Sequence, residues 1–279
     1  MPALALVVCV YRQRDLLERL LQKAAGCYDD LVVVHDGPDT DGVKALVEKF
    51  GGRFFEHPRV GSLEGQSPFA WAQAKHDWIL RLDADEFPSE EMIGWLKQFR
   101  TAATPAENTS GYTCIWPVWN GLRAVTSNWP RGRIFLFDRQ RVRFFGMIEQ
   151  VPLADGQYQP VNMILHHQPK RRSLGLRNVL LRKQAYQWRR VIAMALLGKP
   201  TDLPCWRWES QAWPGDWEQI RQRPLRTALS RLVMGTFRAL RDQWRNERKL
   251  FPLAAVNGPI HHVLICFEYW RQHRQHPSN

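Results

Sequence analysis

Apolar positions along the first hundred residues alternate between two rhythms. Residues 3–11 form an unbroken, β-rich apolar run of the kind found in a strand covered on both faces. Leu16, Leu17, Leu20, Leu21 and Ala24 then recur at helical spacing across 12–25. Residues 31–34 predict a second buried strand, closed by Asp36-Gly37-Pro38-Asp39, and 43–50 predict a helix. A short third strand follows at 53–56, then a helix over 67–75, then a strand from Trp78 to Asp83. Strands alternating with helices imply a doubly wound, mostly parallel α/β sheet, whose ligands bind beyond the carboxyl ends of the strands. Tyr11, Asp36 and Asp83 fall at those ends.

The strand beginning at Trp78 runs into Asp83-Ala84-Asp85-Glu86. In a continuing strand, Asp83 and Asp85 share one face, and an uncompensated pair there repels. A divalent cation relieves that repulsion, and hard oxygen ligands favour Mg²⁺ or Mn²⁺. The competing reading is that Asp83 starts a turn and caps the helix suggested by 88–92.

With these features in this order, the chain resembles the family 2 glycosyltransferases, enzymes of GT-A fold that use nucleotide-activated sugars. Residues 7–17 look like the family's opening strand and helix, 32–37 like its acidic nucleotide-binding turn, and 82–86 like its metal motif. Glu56-His57-Pro58, residues 61–66 and residues 70–74 are closer to the branch typified by bacterial lipopolysaccharide-core glycosyltransferases. The resemblance implies a metal-dependent, inverting transfer from a nucleotide-diphosphate sugar, a UDP-sugar first, to a cell-envelope glycan or glycolipid. It assigns Tyr11 and Asp36 to the donor pocket, Asp83 to the ribose or the metal shell, and Asp85 to the metal. The departures are Cys9-Val10-Tyr11-Arg12, where the family often has a proline and an asparagine, Pro38 in place of a serine, and Ser67-Pro68 where the branch often has a basic residue. They bear on the donor and leave the metal motif intact.

Further along, Glu149 matches the glutamate of the branch's histidine-glutamate pair, with Ile148 in the histidine's place, which makes Glu149 the first candidate base and Glu86 the second. His166 and His167 follow a predicted strand at 161–164. An imidazole can complete a Mn²⁺ shell, and since neighbours on a strand face opposite ways only one of the two can serve. His166, directly after the apolar run, is preferred. Arg131 and Arg133 are candidates for contact with phosphate or an acidic acceptor.

Charge divides the chain. Residues 1–100 hold 12 Lys and Arg against 16 Asp and Glu, whereas 101–279 hold 27 against 11, which leaves +12 overall. A boundary near 170 separates a catalytic domain, 1–170, from a mainly helical basic extension, 171–279. Helices are expected over 176–197 and 225–244. In the second, Leu225, Leu229, Leu232, Val233, Phe237, Leu240 and Trp244 form a stripe with arginines around it. Such a helix can lie on an anionic membrane surface or pack on the core with its arginines solvated. Residues 253–270 are apolar but interrupted by Asn257, Gly258 and Pro259, too broken for a span. Five scattered cysteines, without paired spacing, suggest neither a disulfide framework nor a zinc knuckle and fit a reducing cytoplasm. Peripheral attachment to the inner face of the membrane fits the same composition. Two other classes compete with this reading. A basic single-strand nucleic-acid binder leaves the carboxylates unexplained, so no nucleic-acid partner is expected; a sugar-nucleotide nucleotidyltransferase lacks its glycine-rich phosphate loop after the first strand.

Overall fold

A computed structural model describes residues 2–101, 105–144, 146, 151–169, 180, 189–190, 192–193, 196–197 and 215–275. The chain forms two compact units, one of Met1–Val118 with Arg123–Lys170 and one of Trp119–Leu122 with Arg171–Asn279.

The first unit is an α/β domain around an eight-stranded sheet. Its strands are β1 (Leu4–Val10), β2 (Asp30–Asp36), β3 (Arg53–His57), β4 (Trp78–Arg81), β5 (Glu86–Pro88), β6 (Thr109–Ile115), β7 (Arg131–Asp138) and β10 (Gln157–His167), in the order β3-β2-β1-β4-β7-β6-β10-β5. A separate ribbon pairs β8 (Val142–Arg143) with β9 (Leu153–Ala154). Strands β3, β2, β1 and β4 are parallel, β7 runs against both its neighbours, β10 is parallel to β6, and β5 is an antiparallel edge.

The unbroken apolar character of β1 follows from having helices on both faces. Leu4, Leu6, Val8 and Val10 join one core with α1 (Arg14–Lys23), α2 (Val43–Lys49) and α4 (Glu90–Thr101), while Ala5, Val7 and Cys9 join another with α3 (Leu63–Ala72). Helix α3 starts four residues before the expected 67. Ser62 Oγ accepts the Gly65 N–H at 3.2 Å and caps it, so Pro68 sits inside the helix rather than at its start. Helix α4 is capped by Ser89, whose Oγ accepts from Met92 N at 3.2 Å, and this removes the reading in which Asp83 caps it.

Asp29 ties this layer to the sheet. Its carboxylate accepts from Leu4 N at 2.9 Å and from Arg100 Nε at 3.0 Å, while Arg100 Nη1 donates to Gly26 O at 2.6 Å. Burial works against the Asp29 charge, but Arg100 and the Leu4 N–H outweigh it and hold the carboxyl below its ordinary range. A depressed folded-state pKa adds stability above the unfolded value of about 3.9 and loses it as pH falls through the folded one. Asp29→Asn should therefore cost about 1 kcal/mol near neutrality, and its stability in urea should converge on wild type below about pH 4.

The second unit contains α5 (Gly215–Gln222), α6 (Pro224–Ser230), a π-helical turn at Arg231–Gly235, α7 (Thr236–Glu247) and α8 (Pro252–Gln275). Ala228 of α6 and Ala255, Ile265, Cys266 and Tyr269 of α8 are buried, and Pro259 of α8 lies against Gly235. Gln243 joins α7 to the next turn through reciprocal bonds with Phe251, 3.2 Å from Nε2 to the carbonyl and 2.7 Å from the amide to Oε1. No helix among the described residues is long and apolar enough to cross a membrane. The expected helix at 176–197 lies largely outside the described residues.

Candidate active site

Parallel β1, β2 and β4 end on one edge of the sheet, and each delivers a polar group there. Tyr11 follows β1, with the Arg12 and Arg59 guanidiniums 5.2 and 4.5 Å from its ring centroid. Asp36 ends β2. Its buried carboxylate accepts from Val60 N at 2.6 Å, Gly61 N at 3.0 Å and Gln66 Nε2. Asp36, which the resemblance assigns to the base or ribose of the donor, therefore also fastens the segment between β3 and α3.

Strand β4 stops at Arg81, and 82–85 form a turn closed by Glu86 N to Asp83 O at 2.9 Å. The carboxylates of Asp83 and Asp85 thus part company instead of sharing a strand face. Asp83 Oδ2 takes Arg133 Nη2 at 3.0 Å, whereas Asp85 Oδ2 lies 3.5 Å from His167 Nε2. The Arg133 guanidinium beside Asp83 therefore relieves part of the repulsion that the sequence assigned to a metal. Burial opposes the Asp83 charge, yet Arg133 and Arg81 outweigh it and hold the carboxyl low.

Glu86 and Arg133 make the clamp behind this turn. Glu86 is fully buried; its Oε1 accepts from Arg133 Nε at 2.9 Å, and its Oε2 accepts from Arg133 Nη2 at 2.8 Å and from Asp83 N at 2.9 Å. Burial pushes the Glu86 carboxyl up while Arg133 pulls it down; for Arg133, Glu86 and Asp83 more than offset burial and keep it charged. Two expectations are corrected here. Glu86 is enclosed and occupied, so it cannot reach an acceptor hydroxyl as a base, and Arg133 is held within the protein rather than offered to a phosphate. Arg131 is exposed and donates to Asn162 Oδ1 at 2.8 Å.

The choice between the histidines is also reversed. Strand β10 pairs antiparallel with β5, setting His167 opposite Glu86 and His166 opposite Phe87. His167 stacks on Trp116, with centroids 4.3 Å apart, and faces Asp85. Burial lowers its pKa, but the Asp85 hydrogen bond and charge outweigh that and raise it. His166 instead lines a groove with Arg19, Lys23 and Phe87, where burial and then Lys23 lower its pKa. Glu149 lies outside the described residues.

Three groups in the cleft were missed. Glu64, in the first turn of α3, is pushed up by burial and then by Asp83, while Ser62 Oγ donates to it at 3.0 Å. Arg81, at the end of β4, is lowered by burial and then by Arg133, with Asp83 and Glu64 opposing. Trp116 backs the imidazole of His167. An acid in a capped first turn reads in sequence as a dipole partner, so Glu64 carried no signal of its own.

The donor set can be tested for a divalent ion. Asp85 and His167 stand close to the roughly 3 Å that separates adjacent ligands around an octahedral ion with bonds of about 2.1 Å, and a carboxylate with an imidazole suits Mn²⁺. These two residues fit, with Asp83 beside them but shared with Arg133. His35, Asp39 and Asp41 also gather at the end of β2. There, however, Asp39 accepts the N–H groups of Asp41, Gly42, Val43 and Lys44, the work of a helix cap.

Residues 5–141 match the family described as Glycosyl transferase family 2. An uncharacterized glycosyltransferase of Rickettsia bellii is 36% identical over 76 residues, 27% of this chain and 25% of that protein. Another, from Rickettsia conorii, is 40% identical over 63 residues, 23% of this chain and 22% of its own. The chain thus spans about a quarter of the length of the curated relatives it matches. Among solved structures, the mannosyltransferase PcManGT of Pyrobaculum calidifontis, in complex with GDP-Man and Mn²⁺, has a TM-score of 0.50 at 14% identity, covering 97% of this chain and 88% of that one. At that identity the likeness is one of fold.

Proposed function

We propose, from the match of residues 5–141 to Glycosyl transferase family 2, that the protein is a metal-dependent, inverting glycosyltransferase that takes its sugar from a nucleotide diphosphate. The observation that carries this reading is the pairing of Asp85 with His167 beside Asp83, at the carboxyl edge of the parallel strands and braced by Glu86–Arg133. Asp85 and His167 would hold Mn²⁺ or Mg²⁺, with Asp83 as neighbour; when bound, the ion stabilises charge on the departing diphosphate.

The chain's own residues prepare the rest. Arg133 and the Glu86 carboxylate fix the 82–86 turn, so its carboxylates need no rearrangement when a donor arrives. Asp36 holds the 60–66 segment over the end of β2, and Arg12 and Arg59 bring positive charge to the side of the cleft where Tyr11 sits. Glu149 is assigned the role of accepting the proton of the acceptor hydroxyl as it attacks the anomeric carbon. Glu149→Gln should then lower kcat by about 10²–10⁴-fold while leaving donor Kd unchanged, as read by steady-state kinetics and calorimetry.

UDP-sugars are the first choice of donor. The segments at 56–58, 61–66 and 70–74 support a cell-envelope glycan or glycolipid acceptor, lipopolysaccharide core before others. Release of nucleoside diphosphate from a panel of UDP-, GDP- and dTDP-sugars, with core oligosaccharide as acceptor, tests the reading. Acceptor-stimulated release from one donor supports it, and silence across the panel with Mn²⁺ and Mg²⁺ contradicts it.

A further inference from the structure

In the second unit, the segment from Pro224 to Glu247 is helical throughout, with a π turn between α6 and α7. Most of its large apolar residues are exposed rather than turned inward. Leu229 is 66% exposed, Val233 56%, Phe237 63% and Trp244 52%, whereas Thr227, Ala228 and Gln243 bury the opposite side.

The π turn keeps that exposed stripe together. Leu225, Leu229, Val233 and Phe237 recur every four residues, a spacing that drifts about 40° per step on an α-helix and about 120° over the set. A turn closed from i to i+5 takes in about one extra residue, roughly 100° of rotation, and winds most of the drift back. Trp244 follows Phe237 by seven residues, about two turns, and stays in line. Arg226, Arg238 and Arg245 each come one position after a stripe residue, about 100° round the helix, so they form a single exposed flank.

We propose that this face docks on an anionic lipid bilayer, the apolar stripe in the interface and the arginine flank among the headgroups. Charge complementarity selects the occupant. Residues 224–250 carry seven Arg and Lys against two acids, Asp242 and Glu247, and Asp242 is already paired with Arg241 at 3.2 Å. A two-fold dimer through the same face brings like arginines together with few acids to meet them. An anionic surface attracts all of them, and long arginine side chains can lie along apolar surface while their heads reach phosphates. Since no described helix can cross a membrane, the contact is interfacial. The inference is independent of sugar transfer, because lipid binding is scored without donor or acceptor.

Flotation of the full chain with phosphatidylglycerol-containing and pure phosphatidylcholine vesicles tests it. Wild type should float with the anionic vesicles at least about tenfold better than with neutral ones, and less well as salt rises. Arg226→Glu with Arg238→Glu and Arg245→Glu should lose about tenfold or more, and so should Leu229→Ser with Val233→Ser and Phe237→Ser. These side chains are exposed, so melting curves should match wild type; if the triple serine variant melts early, Phe237→Ser alone is scored. Failure of wild type to float, equal flotation on both vesicle types, or variants that float like wild type would overturn the proposal. So would a dimer in sedimentation that the serine variant dissolves, since the face would then belong to a second copy.

Discussion

Asp85→Ala is expected to abolish metal-supported sugar transfer while leaving the melting temperature of the apo protein close to wild type. The carboxylate sits in a turn beyond β4 and faces His167, so its loss opens no cavity in the core. A bound divalent ion contributes several kcal/mol of transition-state charge stabilisation, so loss of a ligand that holds it should remove activity by at least about 10³-fold. His167→Ala should fall in the same direction by a smaller factor, whereas His166→Ala, on the other side of β10, should keep near-normal turnover. Activity assays with Mn²⁺ and in excess chelator measure all three.

The second large effect is on stability. Glu86→Ala removes the bidentate partner of Arg133, whose side chain is only 17% exposed, and leaves that guanidinium with Asp83 alone. Breaking one side of a buried pair costs about 3–5 kcal/mol. At about 2–4 °C per kcal/mol, the melting temperature should drop by on the order of 10 °C. Replacing both members, Glu86→Leu with Arg133→Met, should recover part of that loss, because the buried guanidinium leaves with the buried carboxylate and only Asp83, whose side chain is 36% exposed, loses an ion partner. If the two single replacements are mild and additive, the clamp is not what holds the turn.

The parallel half of the sheet was legible because β1 and β2, buried on both faces, must be apolar throughout, a pattern few other elements share. Helix α1 was legible from its four spaced leucines, Leu16, Leu17, Leu20 and Leu21. What escaped were features decided by tertiary pairing. Nothing local announces that β4 stops at Arg81, since Leu82 is as buried as a strand residue yet belongs to the turn. That early stop separates Asp83 from Asp85 and gives each a different partner, Arg133 for one and His167 for the other. The choice of His167 over His166 depends on β10 pairing with β5, a three-residue edge strand too short to show a period. Arg133 looked like a ligand for phosphate because the sequence could not show Glu86 turning inward to meet it. The apolar stripe from Leu225 to Trp244 was visible, but its exposure and the π turn that aligns it were not.

Thermal shift of wild type and Asp85→Ala with nucleotide-diphosphate sugars, each with Mn²⁺ and in chelator, tests the central claim most directly, because a ligand that binds only the folded state raises Tm. A nucleotide sugar should raise the wild-type Tm with Mn²⁺, far less in chelator, and not at all in Asp85→Ala. Equal shifts in chelator, or equal shifts in the variant, would contradict a metal-held donor at Asp85.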